Sequence, residues 1–241
     1  MIFEFDLHVH SAASRDGRMT LDEIVRTAKA RGLSGVAVTD HDVLLTDPPQ
    51  YEDFLIVPGC EFSTERGHML GLFLTEPISD RPFPALIDAI REQGGLAVMA
   101  HPFEHRRDDG RIAPVEKMLD GLEVFNARAA RKIPEANDLA LAWAREHNLP
   151  GTRGSDAHLP REIGNATVKY DLPELSLAAL KDAIRMPEAM MEGASRNGLA
   201  FDVARSQFTK LCKTKAPLKR YLKWLLFAAK CAAKDLLRRG R

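Results

Sequence analysis

The sequence has few cysteines, no long apolar run and no glycine-rich phosphate loop. Cys60, Cys212 and Cys231 are odd in number and widely spaced, which predicts reduced thiols in a cytoplasmic protein rather than a disulfide framework. No uninterrupted apolar stretch reaches about 18 residues, and the N-terminus lacks a basic segment followed by an apolar one. Neither a transmembrane helix nor a secretory signal is therefore expected. G-x-G-x-x-G and Walker A patterns are absent, which disfavours dinucleotide and ATP binding.

The sequence also lacks net charge, but the two signs are unevenly distributed. Residues 205–241 hold 12 of the 34 Lys and Arg and one of the 34 acidic residues, so this tail carries +11 and residues 1–204 carry −11. We therefore predict two parts, an acidic body over residues 1–200 and a basic helical extension over residues 201–241.

In the body, short apolar runs alternate with amphipathic segments about seven times. Residues 36–38 and 96–99 are typical of buried strands, and residues 20–23 have the form of a capping box before a helix. Residues 114–119 are predicted as a short helix. The alternation predicts parallel strands with crossover helices, and therefore an α/β barrel or an open doubly wound sheet. In a barrel, the chemistry lies at the carboxyl ends of the strands.

Two histidines near the N-terminus are the first indication of a metal site. Period-two alternation over residues 2–5 predicts a β-strand, in which residues two apart point to the same side. His8 and His10 therefore present two imidazoles together, as ligands suited to a divalent metal. By itself, the pair is also typical of a surface or packed histidine pair.

Further potential ligands follow the ends of later strands. Mixed imidazole and carboxylate groups at so many strand ends are too numerous for one tetrahedral ion, which takes about four ligands. They suit two or three divalent ions that share a bridging carboxylate, and such sites serve phosphate ester hydrolysis. The candidate ligands are His8, His10, Asp16, His41, Glu61, His68, His101, Asp156 and His158.

Some of these positions have alternative interpretations. His68 begins an apolar strand and could be a core histidine with satisfied hydrogen bonds, and Asp16 could cap its own turn. Asp40 is interpreted as an orienting carboxylate for His41 or His10 rather than a ligand. Ligating histidines usually donate their second N–H to such a carboxylate.

Five motifs, in their order along the chain, resemble those of the PHP (polymerase and histidinol phosphatase) superfamily. The resemblance covers residues 3–160 and implies a distorted (β/α)7 TIM-like barrel with up to three Mn, Zn or Fe ions for phosphoester hydrolysis. The motifs are Asp6-Leu7-His8-Val9-His10-Ser11, Thr39-Asp40-His41-Asp42, Pro58-Gly59-Cys60-Glu61, Ala100-His101-Pro102 and Gly154-Ser155-Asp156-Ala157-His158.

The resemblance also implies how the ligands are divided among the ions, with Glu61 as the bridging carboxylate. Asp16 stands where many relatives have His, so the second ion is expected to differ most in affinity. The implied sets are His8, His10, Glu61 and Asp156 for the first ion, Asp16, His41 and His158 for the second, and Glu61, His68 and His101 for the third.

Two other features depart from the family pattern. Residues 43–54 are shorter than the usual segment, so one barrel helix is expected to be missing or reduced. Only a modest connection separates His101 from Asp156, whereas relatives that act on nucleotides or short oligonucleotides often carry an inserted lid domain there. The missing lid favours a small phosphate monoester as substrate.

The predicted function is metal-dependent hydrolysis of a phosphate ester, in which a hydroxide that bridges two ions attacks the phosphorus. Bound metals lower the pKa of water from about 15.7 to roughly 7, so hydroxide is available near neutral pH. Arg128, just after the strand end at Asn126, is predicted to clamp the phosphate through two donors. Arg15 and Arg153 are further candidates, and their alternative is a solvated arginine at the rim.

Two other functions stay open at this point. One is a nucleotide or oligonucleotide phosphodiesterase or exonuclease. The other is a non-catalytic metal-binding module that docks on a membrane or a polyanion through the basic tail. The sequence leaves the substrate, the identity and number of the metals, and the oligomeric state undetermined.

The tail has the pattern of a basic amphipathic helix. It is interpreted in three ways: a terminal helix packed on the acidic barrel, a peripheral anchor to anionic lipid, or a contact with nucleic acid or another polyanion. Trp224, Leu226 and Phe227 widen its apolar sector. The basic face consists of Lys219, Lys223, Lys230, Lys234 and Arg238, and the apolar stripe of Leu218, Leu222, Leu225, Ala229, Ala232 and Leu236.

Overall fold

The computed structural model describes residues 1–79, 82–105, 116–131 and 133–239. Within these residues, nine strands form one curled sheet, accompanied by six α-helices. The strands are β1 (Ile2–Val9), β2 (Gly35–His41), β3 (Leu55–Thr64), β4 (Gly67–Leu72), β5 (Leu96–Met99), β6 (Gly121–Asn126), β7 (Gly151–Gly154), β8 (Ala166–Asp171) and β9 (Met191–Ser195). The helices are α1 (Leu21–Ala30), α2 (Phe83–Glu92), α3 (Ala136–Glu146), α4 (Leu177–Ile184), α5 (Ala200–Lys213) and α6 (Leu218–Arg239).

The sheet is mixed, not parallel throughout, and its strand order is β7-β6-β5-β4-β3-β2-β1-β8-β9. Strands β1 to β3 are parallel, as are β5 to β7, whereas β4 is antiparallel to both β3 and β5. Only two residues connect β3 to β4, which is too short for a crossover helix and therefore joins an antiparallel pair. Beyond β1, β8 and β9 add two antiparallel strands that the alternation does not predict.

The sheet curls until β7 returns to β1, which confirms the expected distorted TIM-like barrel. Just beyond these strands, the backbone N–H of His10 donates to the carbonyl of Ala157 over 2.8 Å. Gly154 permits the close approach, because a Cβ at this position would lie 2.2 Å from the Cβ of His8. The carboxyl ends of β1 and β7 therefore meet at one rim.

Helix α1 shows how the helices cover the outside of the sheet. It begins with the predicted capping box, in which Thr20 and Glu23 each accept a hydrogen bond from the other's backbone. Its buried side chains Ile24, Val25 and Ala28 join the same apolar cluster as the residues of β2. Burial of such a face supplies most of the stability of a short helix.

Two segments between strands contain little or no helix, one as predicted and one contrary to the prediction. Residues 43–54 form none, which agrees with the expected loss of one barrel helix. Part of the helix predicted over residues 114–119 lies outside the described residues, and Glu116–Met118 forms a single 3-10 turn.

The C-terminal part contains two helices, α5 and α6, that pack on each other. Trp224 and Phe227 of α6 pack with Ala228 and Cys231 against α5, so the predicted stripe of leucines is not the packed face. The indole N–H of Trp224 donates to the carbonyl of Ala204 over 2.7 Å. The packed face is determined by the aromatic surface that it buries and by this hydrogen bond. A sequence pattern that counts only apolar positions takes account of neither.

Asp235 adds a second reason for this orientation of α6. Its carboxylate accepts the backbone N–H groups of Ala200 and Phe201 over 2.9 and 2.8 Å, and so caps the start of α5.

Among the described helices, none is both long and apolar enough to cross a membrane. The division of the chain at residue 200, where α5 begins, stays a prediction.

Candidate metal centre

Imidazoles line the rim where the strands end, and the first two come from β1 and from the residue directly after it. His8 and His10 are completely buried, and their Nε2 atoms lie 3.1 Å apart. The alternation of β1 places both rings inside the barrel, while Leu7 and Val9 pack in the apolar clusters. Two ring nitrogens at this distance repel each other unless a proton or a cation lies between them.

Glu61, on β3, lies at the centre of this rim. Its side chain is 1% exposed, and its two oxygens lie within 3.5 Å of ring nitrogens from five histidines. One carboxylate among so many imidazoles suits a bridge between cations. The distances are 3.5 Å to His8 Nε2, 3.4 Å to His10 Nε2, 3.0 Å to His41 Nδ1, 2.7 Å to His68 Nδ1 and 3.1 Å to His101 Nε2.

Asp16, in the loop after β1, forms a second centre of ligand atoms. Its Oδ1 lies 3.3 Å from His158 Nε2, and its Oδ2 lies 3.6 Å from His41 Nε2. The Ser14 hydroxyl donates to Asp16 Oδ1 over 3.0 Å and fixes the carboxylate. Asp16 therefore faces the rim and does more than cap its own turn.

Among the described residues, three groups of ligand atoms are compact enough to hold an ion each, since the atoms of a group lie within 4.8 Å of one another. The groups overlap, as ligand sharing between neighbouring ions requires. They differ from the sets implied by the resemblance in three ways: His10 and His41 each belong to two groups, Glu61 belongs to one group and not two, and His101 belongs to none. The groups are His10, Asp16, His41 and His158; His8, His10 and Asp156; and His41, Glu61 and His68.

Two residues of the rim adopt a left-handed backbone. His101 has a φ of 27° and Asp156 a φ of 54°, which costs a residue other than glycine roughly 1–3 kcal/mol. Hydrogen bonds hold both in place: the His101 N–H donates to Glu123 Oε2 over 2.9 Å, and the Asn126 amide donates to Asp156 Oδ2 over 3.4 Å. Strain of this kind is typical of functional sites.

Several buried polar atoms of the rim lack a hydrogen bond of acceptable geometry. They are His41 Nδ1, Glu61 Oε2, His68 Nδ1 and His101 Nδ1. Unpartnered buried atoms are costly, yet His41 Nδ1 lies 3.0 Å from Glu61 Oε2 and His68 Nδ1 lies 2.7 Å from Glu61 Oε1 without a hydrogen bond of acceptable geometry. Such an arrangement suits cations between them. The residues therefore fit divalent metal ions that accept mixed imidazole and carboxylate ligands, as Mn, Zn and Fe do.

The carboxylates of the rim favour binding of positive charge, either as protons on the imidazoles or as metal cations. Burial acts to lower the pKa of His41, but Glu61 and Asp16 raise it to about 10. Burial acts in the same direction on His101, yet its hydrogen bond to Glu61 raises its pKa to about 9. Bound cations would take the place of these protons.

The carboxylates are held in their ionised form. Burial acts to raise the pKa of Glu61 and of Asp156, but the surrounding imidazoles lower both well below the ordinary value. The histidines beside Asp16 lower its pKa in the same way. Burial and the neighbouring His158 lower the pKa of His10 to about 3, so this imidazole is neutral at neutral pH. Neutral imidazole and ionised carboxylate are the forms that bind metals.

Asp40 binds the loop after β1. Its carboxylate accepts the backbone N–H of Ser11 over 2.6 Å and the Ser11 hydroxyl over 2.5 Å, and burial raises its pKa. Among its described hydrogen bonds, none comes from the ring of His10 or His41. Asp40 therefore fixes the chain that follows His10, and does not orient an imidazole directly.

Arg128 lies beside the rim and is already paired. It is 9% exposed, and its Nη2 donates to the two carboxylate oxygens of Glu162 over 2.8 and 2.7 Å. Its Nη1 donates to the hydroxyl of Ser206, on α5, over 3.2 Å. Glu162 thus holds the guanidinium in a fixed orientation at the edge of the site.

The other two predicted arginines have different partners, and Arg153 is as deeply buried as the candidate ligands. Arg15 Nη1 is 3.9 Å from the Asp42 carboxylate, and Nη2 donates to the Ser63 hydroxyl over 3.5 Å. Arg153 places its guanidinium over the ring of Phe125 and donates to the carbonyl of Ala194 on β9 over 3.2 Å.

Sequence reasoning misses two acidic residues that support the rim. Glu123 Oε1 lies 2.9 Å from His8 Nδ1, and Glu162 Oε2 accepts the backbone N–H of His158 over 3.0 Å. Both side chains are 1% exposed. Glu123 could have been found from its place inside the apolar strand β6, because a buried carboxylate needs a partner there. No comparable signal marks Glu162.

A cavity of about 220 Å³ lies over the rim, and Val203, Ser206 and Gln207 of α5 form one of its walls. Lys213, the last residue of α5, connects this helix through hydrogen bonds to the loop that carries Asp16. Its ammonium group donates to the carbonyls of Ala12, Ser14 and Gly17 over 2.7, 2.8 and 2.9 Å. Helix α5 thus takes part in shaping the site.

Comparison with known proteins yields two family matches and several relatives. The PHP domain model matches residues 6–141, and the PHP-associated model matches residues 134–188. An uncharacterized protein of Methanocaldococcus jannaschii is 34% identical over 173 residues, which cover 68% of this chain and 69% of the relative. A probable phosphatase of Shewanella sediminis is 26% identical over 237 residues, covering 82% of this chain and 96% of the relative.

Solved structures share the fold. A two-domain protein from Bacteroides vulgatus, described as containing a predicted PHP-like metal-dependent phosphoesterase, has a TM-score of 0.60 at 21% identity and covers 87% of this chain and 70% of its own. PsfC from Pseudomonas syringae has a TM-score of 0.60 at 17% identity and covers 89% of this chain and 98% of its own.

The barrel, the rim of candidate metal ligands and the family matches define a phosphoester hydrolase of the metal-dependent class. The chain belongs to the PHP domain family. The family indicated by the five sequence motifs is therefore confirmed.

Proposed function

We propose that this protein hydrolyses a small phosphate monoester with two or three divalent ions, Mn, Zn or Fe, held at the rim. The observation that carries the proposal is Glu61, whose oxygens lie 2.7–3.5 Å from five imidazoles. When bound, the ions would neutralise charge on the phosphate and lower the pKa of a water molecule toward about 7. A cytoplasmic location stays part of the proposal, since the three cysteines are unpaired.

The described cavity supports a small substrate. Its volume of about 220 Å³ suits a phosphate group with a compact alcohol, and the wall formed by α5 limits the approach of a long polymer. The nine ligand candidates would hold the ions below this cavity. They are His8, His10, Asp16, His41, Glu61, His68, His101, Asp156 and His158.

Arg128 is proposed to bind the phosphate, because it lines the cavity and Glu162 holds its guanidinium in place. Phosphoryl transfer depends mainly on positioning and on neutralising charge, which such an arginine supplies. Arg15 is a second candidate at the outer edge of the rim.

Metal content and turnover of an aryl phosphate with Mn²⁺ test the proposal directly. Asp156→Ala should abolish turnover, because it removes an ionised carboxylate beside His8 and His10. Asp182→Ala, on the exposed surface of α4, is the matched control and should keep full activity. Unchanged turnover in Asp156→Ala would refute the proposed function.

The role of Arg128 requires a conservative variant. Arg128→Ala would leave Glu162 buried without its cation, which costs roughly 3–5 kcal/mol and confuses binding with folding. Arg128→Lys keeps the charge and loses the paired donors, so we expect a raised KM with unchanged metal content. If KM stays the same, Arg128 does not bind the phosphate.

A screen of phosphorylated metabolites and short oligonucleotides tests the substrate class. The proposal predicts turnover of small monoesters and little or none of oligonucleotides or diesters. A preference for an oligonucleotide end would favour the phosphodiesterase or exonuclease hypothesis instead. Bound metal without turnover of any ester would favour a non-catalytic module.

A further inference from the structure

We propose that α6 docks on an anionic lipid bilayer through a face of exposed leucines bordered by lysines. This leucine face is 55–75% exposed although every member is a large apolar side chain. Clustered apolar side chains of this size on a surface mark an interaction site. The leucine face consists of Leu218, Leu222, Leu225, Leu226 and Leu236.

The leucine face points away from the rest of the protein. The opposite side of α6 packs on α5 through Trp224, Ala228 and Cys231, and Asp235 lies on that same side. These four positions are spaced by four, three and four residues, as one face of a helix requires. Because the packed side is occupied, the leucines are available for a partner.

Basic residues along one edge of the leucine face indicate the partner. Lys219, Lys223 and Lys230 are exposed on α6. The single acidic residue of this helix, Asp235, is buried and bound to the start of α5. The free surface of α6 therefore combines leucine with positive charge and presents no carboxylate, which complements the negative surface of an anionic membrane.

Other partners match this surface less well. A second copy of the chain would bring two rows of lysines together at the same contact, and like charges oppose such pairing. Nucleic acid would bind the lysines but leave the leucines exposed to water. An anionic bilayer takes up both features, since lysines reach the headgroups while leucines enter the boundary of the acyl chains.

The length of α6 suits a helix that lies on a membrane. Its 22 residues extend over about 33 Å, and the leucines recur over nearly all of it. The helix is not apolar enough to cross a bilayer. The docking proposal does not depend on the proposed hydrolysis, because the leucine face and the rim are formed by different residues.

Flotation of the 241-residue protein with vesicles tests the proposal. We expect binding to phosphatidylcholine vesicles that contain about one third phosphatidylglycerol, little binding to phosphatidylcholine alone, and release when salt is raised from about 0.1 M to about 1 M. The double variant Leu222→Gln/Leu226→Gln should bind about tenfold more weakly. Leu177→Gln removes a leucine that is 38% exposed on α4, and this control should bind like the parent protein.

Lysine variants test the charge component separately. Each of Lys219→Gln, Lys223→Gln and Lys230→Gln should weaken binding to the anionic vesicles by about fivefold. All these positions lie on the surface, so turnover of a soluble ester should not change. Failure to bind anionic vesicles would overturn the docking proposal, and so would equal binding by Leu222→Gln/Leu226→Gln.

Two further measurements separate the remaining partners. Sedimentation without lipid should give the same mass for the parent protein and for Leu222→Gln/Leu226→Gln. If the variant has a smaller mass, the face joins two copies and the proposal is wrong. Binding to DNA that survives the leucine changes while vesicle binding is absent would also overturn it.

Discussion

Glu123 Oε1 lies 2.9 Å from Nδ1 of His8, on the opposite side of the ring from the Nε2 that faces the rim. The other oxygen of Glu123 accepts the backbone N–H of His101 over 2.9 Å and the Asn126 amide over 3.0 Å. Burial disfavours charge on His8, but Glu123 and the carboxylates of the rim raise its pKa well above the ordinary value. One buried carboxylate therefore orients two candidate ligands.

Replacement of Glu123 by Gln should weaken metal binding. The amide keeps the size of the side chain but cannot supply the negative charge, nor accept hydrogen bonds at both ends. We expect a loss of metal affinity of about 10- to 100-fold, as is usual for such supporting carboxylates. Metal titration measures it, and Glu146→Gln, near the end of α3, should bind metal like the parent protein. Equal affinities would show that Glu123 does not orient His8.

Gly154→Ala should damage both the fold and the rim. The new Cβ would lie 2.2 Å from the Cβ of His8 and 2.8 Å from its backbone nitrogen, so β1 and β7 must separate. We expect a loss of roughly 3 kcal/mol or more in the free energy of unfolding, together with a lower metal content. Chemical denaturation after chelation measures the first quantity.

Gly32→Ala is the matched control for that experiment. Gly32 has a φ of 77° and open space around the position of a Cβ. Its substitution should cost only about 1 kcal/mol, through the backbone conformation alone. The interpretation of Gly154 would be wrong if the two variants lost the same stability and both kept their metal.

Metal binding should release protons, and the apparent affinity should rise with pH. Without metal, His41, with a pKa raised to about 10, and His101, with a pKa raised to about 9, are protonated at neutral pH. A bound ion requires a free lone pair on the ligating nitrogen, so these protons must leave. Increasing the pH from about 6 to about 9 therefore favours the metal-bound form. Titration calorimetry in buffers of different ionisation enthalpy counts the protons, and a count of zero would contradict this scheme.

Lys213→Met should loosen the loop that carries Asp16. The ammonium group of Lys213 donates to three carbonyls of that loop, and hydrogen bonds from charged groups are worth about 1.5–3 kcal/mol each. We expect weaker binding of the ion near Asp16, while the ion near His8 and Asp156 stays bound. Stepwise metal titration would show a change in one class of sites only. Lys219→Met, on the exposed surface of α6, should change the metal affinity of neither class. If Lys213→Met lost affinity equally in both classes of sites, the result would indicate general unfolding and not a local change near Asp16.

The cluster of candidate metal ligands could be predicted from sequence because a strand imposes a strict period of two and barrel strands end at one rim. His8, His10 and Glu61 follow from that rule together with the order of the motifs. Glu123 could not be assigned in the same way, because its partner His8 lies 115 residues away along the chain. Separation along the chain also hides the pairing of Arg128 with Glu162, 34 residues away, and of Lys213 with Ala12 in the loop near Asp16, 201 residues away.

By itself, the sequence determined the family, the strands that carry the candidate ligands and the strongly basic character of the C-terminal part. These properties depend on local pattern and on residue type. The tertiary structure decided the antiparallel insertion of β4, the supporting role of Glu123 and the side of α6 that packs on α5. In α6, Trp224 and Asp235 made contacts that outweighed the leucine stripe, and the leucines were left exposed. These features depend on contacts between residues that are far apart in the sequence, and local periodicity contains no information about such contacts.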